Sequence, residues 1–180
     1  MKSPVEKRKP SGVIDYVALA VTTFGVGYIP GAPGTYGSLV GVGLYLSWGS
    51  FLPVYIFDPK SLSMSVWHAV TAVLLLIFCL VGVWASGRST GLLGDLDPSQ
   101  AVVDEVMGQL IVFLFVPFGI GWPFIVAGFL LFRLFDIWKP YPIDDLQILP
   151  GGIGVCGDDI LAGVYAGVCL SIVYAISLSL

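Results

Sequence analysis

Charge is what this sequence has least of. Only 11% of its 180 residues are charged, against roughly 25% in a soluble domain, while 57% are hydrophobic and the mean hydropathy is +0.93. That balance excludes a water-exposed globule and reads as an integral membrane protein, of a length that suits one compact domain. Histidine is nearly absent, with His68 alone, and there are three cysteines. Cys79 and Cys169 sit inside apolar runs, where a thiol behaves as a small buried hydrophobe. Cys156 has no partner at zinc spacing, so neither a disulfide framework nor a zinc site is indicated. The eight cations form no basic stripe, which argues against nucleic acid as a partner. The apolar run after the basic segment Met1 to Pro10 lacks an A-x-A-like end, so no cleaved signal peptide is expected.

What the chain does have is clustered acid. Asp95, Asp97, Asp104, Glu105, Asp136, Asp144, Asp145, Asp158 and Asp159, nine of the twelve acidic residues, fall in three short windows between apolar spans. Asp104 and Glu105 stand at the threshold of the apolar run from Val106. A charge near hydrocarbon is costly, and such residues usually face a protein interior or a water-filled cavity. Asp97 precedes Asp104 by two helical turns, so a helix running through both would place them on one face.

Taken in order, Lys2, Lys7, Arg8 and Lys9 make a basic cytoplasmic tail over residues 1–12, and residues 13–180 read as a single membrane-embedded catalytic domain. Val13 to Tyr28 is apolar but short, suited to an interfacial or re-entrant helix. Pro30 to Ser38 is dense in glycine and proline and reads as a tight loop with exposed backbone N–H groups, ending where a helix begins. Spans are expected over Leu39 to Phe57 and Val66 to Ala85, with a polar patch at Asp58 to Ser61 between them. Val106 to Phe118 and Phe124 to Leu134 read as a hairpin of two short helices that returns Arg133 to Pro142 to the face bearing Asp104 and Glu105. A glycine-rich loop, Gly151 to Gly154, leads to Asp158, Asp159 and a last span, Ile160 to Leu180, whose Ala162, Gly163, Ala166 and Gly167 are spaced for close helix packing. The expected fold is therefore an all-α integral membrane protein, a compact bundle of about four to five transmembrane helices plus an N-terminal interfacial or re-entrant helix. Placing the tail, Arg88, Arg133 and Lys139 on one side leaves only Lys60 outside, in keeping with the positive-inside rule, and puts the acidic windows at the cytoplasmic face.

Convergent carboxylates on one face suggest a hard cation such as magnesium, which takes oxygen ligands and works with substrate phosphate. Asp97, Asp104, Glu105, Asp158 and Asp159 are the candidate ligands. Against this stands the simpler possibility that acids at helix starts cap the helix or complement its dipole. Arg133 and Asp136 lie one turn apart with Lys139 close behind, which fits either a local salt bridge with a snorkelling lysine or a phosphate clamp. The Pro30 to Ser38 loop adds backbone donors for phosphate at a helix start. Several phosphatase chemistries are excluded: His68 lies on the outer side, no cysteine has an arginine six residues on, and Asp95 to Ser99 lacks the apolar strand that precedes an aspartyl-phosphate site. Metal-activated water is the mechanism left.

Four blocks make the sequence resemble the phosphatidylglycerophosphatase A family of bacterial membrane lipid phosphatases. They are Pro33 to Leu39, Val103 to Glu105 with Gly108, Phe132 to Ile143, and Gly152 to Val155 leading to Asp158 to Gly163. The resemblance implies magnesium-dependent hydrolysis of phosphatidylglycerophosphate to phosphatidylglycerol and inorganic phosphate at the cytoplasmic face of the inner membrane. It implies catalytic roles for Asp97, Asp104, Glu105, Asp136 and Asp158, metal binding by Asp97, Asp104, Glu105, Asp158 and Asp159, and phosphate binding by Thr35, Gly37, Ser38, Arg133 and Lys139. The expected partners are the phospholipid substrate and membrane lipids. Asp95, Asp144 and Asp145 lie outside the pattern. The alternative from another class is a small ion-coupled transporter, which calls for acids spread through the membrane thickness; here they gather at one face.

Overall fold

Among the described residues, 5–55 and 64–179 of a computed structural model, all regular structure is helical. Six α-helices follow in order: α1 Val13–Thr23, α2 Pro33–Tyr55, α3 Met64–Leu93, α4 Val103–Leu114, α5 Trp122–Trp138 and α6 Gly152–Ser177. Short 3-10 turns occupy Val26–Tyr28 and Asp144–Ile148. The Asp58 to Ser61 patch and Lys2 lie outside the described residues.

The bundle is organised around α4. Its 12 residues span about 18 Å, and nine of them are buried, because α2, α3, α5 and α6 all pack on it. Val112 and Phe113 form one core with Phe132 of α5 and Ala162, Ala166 and Leu170 of α6. Val103 and Met107 form another with Val155 and Cys156 of α6 and Phe78 and Val83 of α3. Backbones approach closely between α3 and α6, at Gly152 against Val83, and between α4 and α6. A Cβ built on Gly163 would collide with the Gly108 carbonyl and lie 3.0 Å from the Gly108 Cα, so only glycine at this crossing lets the two backbones meet.

The outer surface is apolar. Leu76, Ile77 and Leu80 of α3 are exposed, as are Val126, Leu130, Leu134 and Ile137 of α5, which recur at helical spacing, and Ile172 and Ile176 of α6. Patches of this kind suit contact with a membrane or a partner protein. Among the described residues, two helices are long and apolar enough to cross a membrane, 68–93 within α3 and all of α6.

Helix α1 is an inverted case. Val13, Ile14, Tyr16 and Val17 point outward, while Asp15, Ala18 and Thr22 face the bundle. At about 16 Å it is too short to cross the roughly 30 Å hydrocarbon layer. Asp15 is buried and ties α1 down: Arg8 donates to it at 2.9 and 3.1 Å, Arg88 of α3 at 2.7 Å, and the Ser11 amide at 2.9 Å. The backbone N–H of Arg8 also donates to the Gly91 carbonyl at 2.9 Å, so the basic segment is docked on α3 at this residue.

Three local expectations change. Helix α2 starts at Pro33, inside the stretch expected to be a loop. A proline is at ease in a first turn because its missing N–H is not needed there, and the Tyr36 amide already donates to the Ala32 carbonyl at 3.2 Å. The irregular part shrinks to 29–32. Helix α6 starts at Gly152 instead of after the glycine-rich stretch, following Gly151 at φ 65°. No helix runs through both Asp97 and Asp104. Gly94 at φ 83° ends α3, Pro98 follows, and α4 begins only at Val103.

Two outcomes are expected. Gly163→Val should lower stability by about 1–3 kcal/mol through overpacking, measured as unfolding of the purified protein in detergent. The Asp15 carboxyl is held well below its ordinary range by the Arg8 hydrogen bonds first, then the Ser11 amide and Arg88. A depressed carboxyl stabilises the fold above its unfolded pKa, and this support fades only as pH falls below about 4. Hydrogen exchange of residues 13–23 should therefore stay slow from neutral pH to about 4 and accelerate below it, once intrinsic exchange rates are corrected for. In Asp15→Asn it should be fast throughout.

Candidate active site

Asp104 and Glu105 occupy the first turn of α4, and Asp159 lies in the second turn of α6. Each of these carboxylates stands one turn before a glycine or next to such a residue: Asp104 precedes Gly108 by four residues and Asp159 precedes Gly163 by four. Because these glycines are the crossing point, the turns above them are pressed together. One carboxylate oxygen from each of Asp104, Glu105 and Asp159 lies within 4.8 Å of the others. Asp104 and Asp159 are 6% and 4% exposed. Dipole complementation does not explain Asp158 and Asp159, which start six residues after Gly152, since that effect is spent within the first turn.

In front of this trio opens a cleft of about 450 Å³. Thr35 of α2, Asp97 of the α3–α4 loop, Asp104 and Glu105 of α4, and Arg133 and Asp136 of α5 all line it. Asp97 reaches it from the loop, where its amide donates to Asp95 Oδ1 at 3.2 Å. The cleft depends on the first turn of α2 being bare. A Cβ at Gly34 would collide with Glu105 Oε1 and lie 3.2 Å from Arg133 Nη1, so an acid and a cation converge on the same glycine.

The remaining predicted residues stand around the cleft. Gly37 packs against the Val102 carbonyl and Glu105 Cβ, at 2.9 and 3.2 Å from where its Cβ would be. Ser38 is fully buried; its hydroxyl donates to the Gly34 carbonyl at 2.9 Å and accepts from Arg133 Nη1 at 3.4 Å. Arg133 is paired with Asp136 at 2.6 Å. Lys139 caps α5 in the left-handed region at φ 46° and pairs with Asp158 at 2.5 Å. Burial pulls the Lys139 ammonium down, but the Asp158 bond and the charges of Asp158, Asp159 and Asp136 outweigh it, so the group is held above its ordinary value and stays charged. Asp144 and Asp145 are exposed on the 3-10 turn. His68 packs near Phe118, with ring centroids 5.3 Å apart, beyond the end of α4 opposite to the acids.

One residue was missed. Gln109 is fully buried on α4, one turn after Glu105, and its side-chain amide makes no protein hydrogen bond. A lone amide at i+4 from an acid within an apolar run was the available signal.

The donor set can be tested for a cation. Its atoms are all carboxylate oxygens, the ligand type of hard divalent ions. Glu105 Oε2 and Asp158 Oδ1 are buried without a protein hydrogen-bond partner, a costly state for an acceptor that a cation relieves. The residues fit a metal ion.

An α-helical bundle with an apolar exterior, and with carboxylates that could hold a cation beside a guanidinium, has the makings of a membrane-associated enzyme. The comparisons make this particular: the chain belongs to the phosphatidylglycerophosphatase A family, whose sequence profile matches residues 19–174, and it is an enzyme of the phosphatase class. It is 35% identical over 159 residues to a Haemophilus influenzae protein named phosphatidylglycerophosphatase A, covering 88% of each chain. It is 33% identical over 147 residues to an Escherichia coli protein of the same name, covering 81% of this chain and 76% of that one. A Bacteroides thetaiotaomicron protein provisionally named phosphatidylinositol-3-phosphatase is 37% identical over 152 residues, covering 84% and 89%. No solved structure matches.

Gly34→Ala should leave the fold intact yet cut activity on the order of 10²-fold, the effect of a reacting group displaced by about an ångström. Phosphate release from a lipid substrate, alongside an unchanged detergent-solubilised elution profile, checks it.

Proposed function

We propose that the protein hydrolyses phosphatidylglycerophosphate to phosphatidylglycerol and inorganic phosphate, with magnesium, at the cytoplasmic face of a bacterial inner membrane. The observation that carries this reading is the charge balance of the cleft. Asp97, Asp104, Glu105 and Asp136 face it against the single guanidinium of Arg133. A dianionic phosphate monoester would be repelled from four carboxylates in a low-dielectric setting, so a phosphatase built this way requires a bound cation. Family membership and the Haemophilus influenzae and Escherichia coli relatives supply the substrate class.

Asp104, Glu105 and Asp159 would hold the ion, with Asp158, kept in place by Lys139, behind them. Magnesium supplies positive charge that offsets that of the phosphate. Arg133 neutralises a phosphate oxygen from the opposite wall, aimed by Asp136 and by the Ser38 hydroxyl. Thr35 and the amides of the first turn of α2 face the same space and donate to the remaining oxygens. Asp97, at the solvent-exposed mouth, orients the attacking water and accepts its proton. The water oxygen bonds to phosphorus as the phosphorus–oxygen bond to the glycerol breaks, and the leaving alkoxide takes a proton from solvent water at the open mouth of the cleft.

The lipid-facing surfaces support a multi-pass arrangement in which α2, α3, α5 and α6 cross the membrane. Helix α4, being shorter than the hydrocarbon layer is thick, sits inside them with its acidic end toward the cytoplasm. Helix α1 lies at the interface.

Asp104→Asn should reduce kcat by roughly 10²-fold or more, the scale of removing one preorganised electrostatic group. A chelator should abolish turnover and added magnesium restore it. Phosphate release measured in mixed micelles from phosphatidylglycerophosphate and, in parallel, phosphatidylinositol-3-phosphate decides the substrate. Preference for the inositol lipid would place the chain with the Bacteroides relative, and unchanged activity of Asp104→Asn would overturn the metal assignment.

A further inference from the structure

A second, almost wholly apolar cavity of about 200 Å³ lies between α2, α3 and α4. Leu44, Tyr45 and Trp48 of α2, Leu75 and Phe78 of α3, and Leu110 and Phe113 of α4 line it. Its floor is closed: Tyr45 and Phe113 are 6% and 3% exposed and stack with centroids 4.2 Å apart. Its rim is open, with Leu44 and Leu74 being 40% and 43% exposed, so it is entered from the lipid-facing side. The Trp48 indole donates to Thr71 at 3.1 Å and bridges α2 to α3.

The position of this groove relative to the polar cleft identifies its occupant. Both are built on the same two helices. Along α2, Thr35 faces the cleft and Leu44 the groove, nine residues or about 13 Å later. Along α4, Glu105 faces the cleft and Leu110 the groove, about 7 Å further on. A phospholipid bound with its phosphate at the starts of α2 and α4 must run its chains down these helices, because in a bilayer the chains lie deeper than the headgroup. The groove is an apolar space at that depth, on the α3 side of the same two helices. We infer that it holds an acyl chain of the lipid whose phosphate is hydrolysed, so that chain binding in the groove positions the headgroup in the cleft. The inference rests on the lipid-phosphatase reading and adds to it the site of chain recognition. Chain contacts remote from the reacting phosphate can then be used in the transition state, so a substrate lacking chains loses kcat as well as binding.

Leu75→Trp and Leu110→Trp fill the groove from two different walls without touching the cleft. Their kcat/KM is to be measured on dioleoyl phosphatidylglycerophosphate in mixed micelles and on the chain-free headgroup, glycerophosphoglycerol phosphate. The expected result is a fall of about tenfold or more on the long-chain lipid, with turnover of the chain-free compound unchanged. An equal fall on both substrates, or no fall on either, overturns the inference. A second measurement on the unaltered protein needs no turnover: phosphatidylglycerol carrying a diazirine on its acyl chain is photolysed in vesicles and the adducts are mapped. Adducts on 74–78 and 110–114 that are competed by unlabelled phosphatidylglycerol more than by phosphatidylcholine are expected. Adducts spread over the outward faces of α3, α5 and α6, or competed equally by both lipids, overturn it. If the parent hydrolyses no phosphomonoester lipid, the phosphatase reading fails by itself, and the mapped adducts still decide the groove.

Discussion

The contact between Gly108 of α4 and Gly163 of α6 is the constraint on which the site depends. Two main chains meet there, and a single methyl group at residue 163 would run into the facing one. One turn above this crossing lie Asp104 and Asp159. Three carboxylates within 4.8 Å repel one another, and burial raises that repulsion by withdrawing water. The apolar layers below, Val112, Phe132, Ala162 and Ala166, supply the packing energy that holds the acids together. A cation held there would offset that repulsion, in a site the fold has already assembled at a cost. The same reasoning explains why the crossing uses glycine: a larger residue would let the acids relax apart.

The basic groups are arranged differently from the acidic ones. Arg133 and Lys139 each have an acidic partner, Asp136 and Asp158, and Arg133 is further braced by Ser38. A bidentate-capable guanidinium with fixed neighbours loses little freedom when it meets phosphate. Lys139, one turn past Asp136 and bonded to the acid beside Asp159, links the end of α5 to the acids of α6. In the proposed reading, headgroup contacts come from α2 and α5 and cation ligands from α4 and α6, with the cleft where the two sets meet.

Much of this was legible in the sequence, and the parts that were not share a cause. Asp104 and Glu105 stood out because a charge pair beside a long apolar run is costly anywhere but in a site. The return of Arg133 to the same face followed from the hairpin at 115–121. The helix boundaries at Pro33 and Gly152 did not follow, because glycine and proline read as breakers unless packing against neighbouring helices favours a helical start; this is tertiary context overriding local propensity. Asp97 came to the cleft for a different reason than its spacing indicated. Helical periodicity would have placed it beside Asp104, but Gly94 and Pro98 prevent that helix, and a loop delivers it instead. The pairing of Gly108 with Gly163 was half visible: small residues on α6 announced a close contact, but one sequence does not say which partner they meet. Magnesium, the catalytic roles and the membrane orientation were read from family resemblance and chemistry.

Helix α1 suits the interfacial placement proposed for the site. In a soluble helix the apolar stripe faces the core. Here the polar stripe does: Asp15 and Thr22 face inward, Thr22 meeting Ser89 of α3 at 2.9 Å, and Val13, Ile14, Tyr16 and Val17 face out. A helix with polar anchors on the protein side and apolar residues on the other is matched to a boundary at which the surroundings are less polar than the protein's own contact surface. Its C-terminal end abuts the site, because the Val102 amide, immediately before α4, donates to the Thr22 carbonyl at 2.9 Å. The Arg8–Asp15–Arg88 cluster fixes α1 to α3, the Thr22–Val102 bond fixes α1 to the start of α4, and Asp104 follows two residues on. With α1 at the interface, as proposed, these bonds would set the depth of the carboxylates and bring the cleft to the level of a lipid phosphate.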